Sequence, residues 1–167
     1  MKKKILIVIG LFIVFAFAGL VWFEATYSMD DVESYTIGNE EAEKTVLIAT
    51  QGSEYKNKLT DSLVDFLTAY DIYISVKDVK LLPEVVVDDW DAIVIIHTFE
   101  IWKPQEDADA FLKEHYDAGK MIVHGTSATA GNKIEDVDAI TGASIISDIP
   151  SQFKIIESKL SSILALN

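Results

Sequence analysis

From Thr45 onward the chain alternates short apolar runs with segments of helical period, and this alternation restricts the fold more than any other feature of the sequence. Thr45–Ala49 is a continuous apolar run, the pattern of a strand buried on both faces. A turn at Gln51-Gly52-Ser53 leads to a helix expected over Glu54–Tyr70, where Leu59, Leu63, Phe66, Leu67 and Tyr70 form one stripe. Ile72–Val76 reads as a second strand. Residues 79–90, interrupted by Pro83, read equally as strand or connecting turn. Asp91–Ile96 is the strongest strand pattern. Pro104 is expected to open the next helix, with Ala108, Phe111, Leu112 and His115 on one face and Gly119 at its end. Lys120–His124 gives a fourth strand, Val137–Ile140 a weak fifth, and a final helix is expected over Ser151–Ala165. Strand–helix alternation implies right-handed βαβ units, hence a three-layer α/β domain around a parallel sheet.

The N-terminal segment is of another kind. Ile5–Phe23 carries no charge and approaches the about 20 residues a helix needs to cross the hydrocarbon layer. Lys2, Lys3 and Lys4 precede it and acids come after it, so the positive-inside rule places the N-terminus in the cytoplasm and the rest outside. Ala16-Phe17-Ala18 also fits a signal-peptidase site, so cleavage and anchoring both stand, and either exports the remainder of the chain. The expected organisation is an anchor over 1–23, an acidic linker over 24–44 and a domain over 45–167. The chain has no cysteine, which excludes disulfides, thiolate metal sites and Cys nucleophiles. A net charge of −13 argues against nucleic acid and suits either solubility or a basic partner.

Parallel α/β sheets bind ligands at the carboxyl ends of their strands, so the loops 50–54, 97–104 and 125–133 are the places to look. The stretch His97-Thr98-Phe99-Glu100-Ile101-Trp102-Lys103-Pro104, followed by Phe111-Leu112 and then by Gly125-Thr126-Ser127-Ala128-Thr129-Ala130-Gly131, resembles flavodoxins. The resemblance covers residues 45–131. It implies a flavodoxin-like fold and flavin mononucleotide (FMN) contacts from Thr98, Trp102, Gly125, Thr126 and Ser127. The first loop departs from the family's phosphate turn. It keeps Thr50, Gly52 and Ser53, but Glu54 brings a carboxylate to where phosphate would lie. A turn that merely starts a helix explains the same residues.

Asp138-Ala139-Ile140-Thr141-Gly142-Ala143-Ser144 is similar to the D-x-x-[ST]-G-A-[ST] site of the FMN-binding domains of the Rnf and sodium-pumping NADH:quinone reductase complexes. That resemblance implies covalent FMN on Ser144, installed by a flavin transferase, with Asp138 orienting the site, Gly142-Ala143 leaving room for approach and Thr141 among the cofactor-binding residues. Ser stands where Thr is usual, and the family domains have another fold. A polar turn before the last helix, with Ser147 or Ser151 as N-cap, is the plainer explanation. The functions expected are a membrane-anchored carrier passing electrons to a membrane redox partner or extracellular acceptor, a cofactor-free interaction domain, or reversible FMN binding. Trp102 serves any of them, by stacking on a ring or docking a neighbour.

His97 and His124 lie near the ends of neighbouring strands and, with Glu100, raise a metal site as a minor expectation. Gly125-Thr126-Ser127-Ala128-Thr129 narrowly misses a nucleophile elbow, and no Walker or dinucleotide-binding string is present.

Overall fold

The computed structural model describes residues 2–27, 29–100, 102–127 and 131–166. The chain forms two compact units, Met1–Asp30 and Asp31–Asn167. The first contains helix α1 (Lys2–Tyr27), whose described side chains over 9–20 are exposed. Among the described residues no helix is long and apolar enough to cross a membrane.

The second unit is a mixed α/β sheet of seven strands, layered by helices on both faces. Its elements are β1 (Tyr35–Ile37), β2 (Lys44–Thr50), α2 (Glu54–Leu67), β3 (Ile72–Asp78), β4 (Ala92–Glu100), β5 (Lys103–Pro104), α3 (Glu106–His115), β6 (Met121–Thr126), β7 (Ala139–Gly142) and α4 (Ile149–Leu164). The path runs β1-β3-β2-β4-β6-β7. The five strands β3, β2, β4, β6 and β7 are all parallel and follow the doubly wound order 2-1-3-4-5. Alternation along each strand divides the core. Val46, Ile48, Val94, Ile96 and Ile122 face α2 and α4, while Leu47, Ala49, Ile93, Ile95 and Val123 face α3.

The sheet is not purely parallel, as the βαβ reading expected. The supposed linker contributes β1, antiparallel to β3 through Tyr35↔Val76, Thr36↔Ser75 and Ile37↔Ile74. The compact unit therefore begins at Asp31 rather than Thr45. A three-residue edge strand carries too little apolar period to declare itself among acids. Gly38 makes the strand possible: its φ is +95°, and a Cβ there would lie 2.3 Å from the Ile72 carbonyl oxygen.

Pro104 does not open α3. It pairs with Phe99 in the hairpin β4–β5, and α3 starts at Glu106 with the Gln105 side chain accepting from Ala108 N–H at 2.7 Å. The helix ends at His115, short of Gly119. Residues 79–90 resolve into 3₁₀ turns at Val79–Glu84 and Val87–Asp89. Strand β7 sits two residues later than expected, so Thr141 and Gly142 are strand residues rather than part of the turn after it.

Candidate functional site

The carboxyl ends of β2, β4, β6 and β7 gather most of the candidate residues. Thr50 ends β2 and is buried. The next residue, Gln51, crosses to β4, where its Oε1 accepts the Thr98 backbone N–H at 2.7 Å. Thr98 and Thr126 join their neighbouring strands through a 3.1 Å Oγ1–Oγ1 hydrogen bond. Thr126 also lies 3.4 Å from the His97 carbonyl oxygen, to which it donates. Gly125 is a close approach: a Cβ there would stand 3.0 Å from the Phe99 ring. Gly52 and Ser127 are buried as well.

Ser53 caps α2, its side chain accepting from Lys56 N–H at 3.3 Å. Glu54 does not enter the loop. It lies on the helix surface, bound to Lys58 at 2.7 Å, and that hydrogen bond holds its carboxyl below the usual range. The conflict with a phosphate expected from the sequence is absent, because the first helical turn carries residue 54 outward. Lys56, in the first turn of α2, is fully buried. Burial pushes the Lys56 ammonium down to about 8, against the pull of Glu100.

A second buried group underlies β7. The His124 Nδ1 stands 3.2 Å from the Ile140 carbonyl oxygen, which can only accept, so Nδ1 carries the proton. Nε2 is then the acceptor for the Tyr55 hydroxyl, 3.1 Å away. Burial holds both His124 and His97 neutral, with pKa values lowered to about 4. The two histidines cannot share a metal as the sequence suggested. In register, His97 pairs with Gly125 and His124 with Ile140 and Ile96, so their side chains leave opposite faces of the sheet. Among the described residues no group of His, Asp and Glu is placed to hold a metal.

No protein-family model and no curated protein matches this chain. Among solved structures, the metal-soaked Flv1 flavodiiron core from Synechocystis sp. PCC6803 is similar in fold, with TM-score 0.55 and 8% identity over 77% of this chain. The match covers 38% of that chain, so the present chain spans well under half of it. Likeness at this identity is a likeness of fold.

The D-x-x-T-G-A-S string is divided by the structure. Asp138 precedes β7, exposed, with its carboxylate 2.9 Å from Lys159 Nζ and its N–H donating to Tyr116 Oη. The ion pair holds its carboxyl below the usual range. Ser144 is exposed past the other end of the strand. Asp138 and Gly142 are four strand residues apart, about 13 Å at the rise of an extended chain. The structure thus does not bring Asp138 and Ser144 together. Gly142 faces inward, 3.7 Å from His124 Cε1 and 3.5 Å from Gln152 Nε2, measured at its ideal Cβ position. Thr141 is half-buried and pairs with Gly125.

Trp102 stands on the β4–β5 hairpin, 78% exposed and with φ +61°. Few bulky residues adopt that conformation, so its presentation is held by the hairpin at a cost in backbone strain. Ile145 and Ile146 add exposed apolar surface directly after Ser144. Residues 128–130 of the loop after β6 lie outside the described residues, and with them the last two residues of the nucleophile-elbow string. An open groove of about 130 Å³ lies between Tyr116, Met121, Asp138 and Lys159, at the opposite end of the strands.

Proposed function

We propose that this chain is a membrane-anchored, extracytoplasmic flavodoxin-like electron carrier with FMN attached through Ser144. The observation that carries this reading is the exposure of Ser144 at the carboxyl end of β7, beside the strand ends where a doubly wound sheet receives ligands. The similar structure is a flavodiiron core, which agrees with a flavin-related role.

The residues fit a tethered flavin better than a cradled one. Thr50, Gly52, Thr98, Thr126 and Ser127 are buried, as are Gln51 and Lys56. A reversible FMN held by these groups would need them opened to solvent. A flavin tied to Ser144 needs only an open edge, and Trp102 offers an exposed ring for it to lie against. A tether also frees occupancy from cofactor concentration, which matters outside the membrane.

Joining a phosphate to a serine by loss of water is unfavourable in water, so the transferase must draw on an activated flavin diphosphate. The Ser144 Oγ–P bond forms as the anhydride P–O bond breaks. The leaving phosphate keeps the bonding electrons, and the hydroxyl proton passes to a base of the transferase. The bound flavin then supplies the electron chemistry, while this chain positions it. Electrons pass to a membrane redox partner or extracellular acceptor. The segment before Glu24 serves as anchor, and the acidic surface turns nucleic acid away.

A cofactor-free interaction domain is the second reading, favoured by the exposed Trp102 past the carboxyl end of β4 and the exposed Ile145 and Ile146 past that of β7. Co-expression with a flavin transferase in an exporting host separates the two. In-gel flavin fluorescence after denaturation is expected from the wild type and not from Ser144→Ala. A colourless wild type favours the interaction domain, and flavin that washes off on denaturation favours reversible binding.

A further inference from the structure

The buried histidine under β7 has no part in the proposed electron transfer, yet it ties α2, through Tyr55, to the strand that leads to Ser144. Its Nδ1–H holds the Ile140 carbonyl, two residues before Gly142. Its ring edge packs against Gly142. The same strand end is held from β6 by the Ser127 N–H, which donates to the Gly142 carbonyl at 3.0 Å. After these two attachments β7 ends. Ala143 is half-buried, Ser144 is exposed, and α4 begins at Ile149.

We infer that His124 is a positioning residue for the attachment turn, fixing the end of β7 so that Ser144 is presented in one conformation to the flavin transferase. This rests on the reading of Ser144 as the attachment point. Tyr55 belongs to the device, because its hydroxyl donates to Nε2 and so keeps the proton on Nδ1, facing Ile140. Gln152 completes it from α4, with its amide against Gly142. A modifying enzyme must align one hydroxyl with a phosphorus atom, and a turn that samples many conformations would present it rarely.

Two substitutions separate this role from simple packing. In His124→Asn the side-chain amide takes the place of Nδ1–H and keeps the donation to Ile140. In His124→Gln the amide reaches toward Tyr55 and leaves Ile140 unheld. Full-length variants co-expressed with the transferase are expected to load flavin at the wild-type rate for Asn, and about tenfold more slowly for Gln, the worth of one lost hydrogen bond. Hydrogen exchange of the Ser127 amide, read without any flavin, is expected to accelerate in Gln and not in Asn, while both variants melt at similar temperatures. A wild type that loads no flavin overturns the attachment reading. Equal Ser127 exchange in the two variants, or equal loading, overturns the positioning role by itself.

Discussion

At the scale of single residues, the polar groups under the strand ends set the acid behaviour of the domain. His97 and His124 have folded pKa values near 4 against 6.5 when free, so the unfolded chain binds more protons between those limits. Their contribution is complete above about pH 6.5 and is lost as pH falls toward 4, at up to about 1.4 kcal/mol per pH unit for each. Urea unfolding at pH 7 and pH 5 is expected to show this slope, and a His97→Asn, His124→Asn double variant is expected to flatten it. Trp102 gives a second residue-scale prediction. Trp102→Gly relieves a left-handed conformation and is expected to raise stability by about 1 kcal/mol, read as a higher Tm. The same change removes the exposed ring and so weakens whatever stacks or docks there. Lys56 escapes a reading by residue type, because lysines are rarely buried. Its spacing gives it away all the same: it falls on the helical stripe of Leu59, Leu63 and Leu67 that locates α2.

At the scale of elements, the central strands could be read because each is a continuous apolar run, and four fall where the pattern places them. What escaped were elements made by pairing rather than by composition. β1 exists because Gly38 lets the chain turn tightly past Ile72, and β5 exists because Lys103 and Pro104 fold back on β4. Neither has an apolar period of its own. Gly38→Ala should therefore detach β1, destabilising the domain by about 2 kcal/mol or more in denaturant titration, since the added methyl collides with backbone. An unchanged midpoint would mean that residues 31–44 act only as a spacer. The candidate site was legible in part for the same reason. Sequence located the loops at the strand ends, but the hydrogen bond from Thr98 to Gln51 joins residues 47 apart in the chain.

At the scale of the whole molecule, the proposed function sets a flavin at the rim of a doubly wound sheet, in a domain proposed to be exported. With Thr50, Thr98 and Thr126 buried and Ser144 and Trp102 exposed, the proposed flavin lies at the rim of the sheet. The flavin would then be held by a bond, and its surroundings would be set by loops rather than by a pocket. The most direct test is the mass of the peptide between Lys133 and Lys154, which contains Ser144, from protein exported alongside an active flavin transferase. A gain of one FMN less one water, located on Ser144, is expected. An unmodified Ser144 peptide, from cells in which the transferase loads a control substrate, would contradict it.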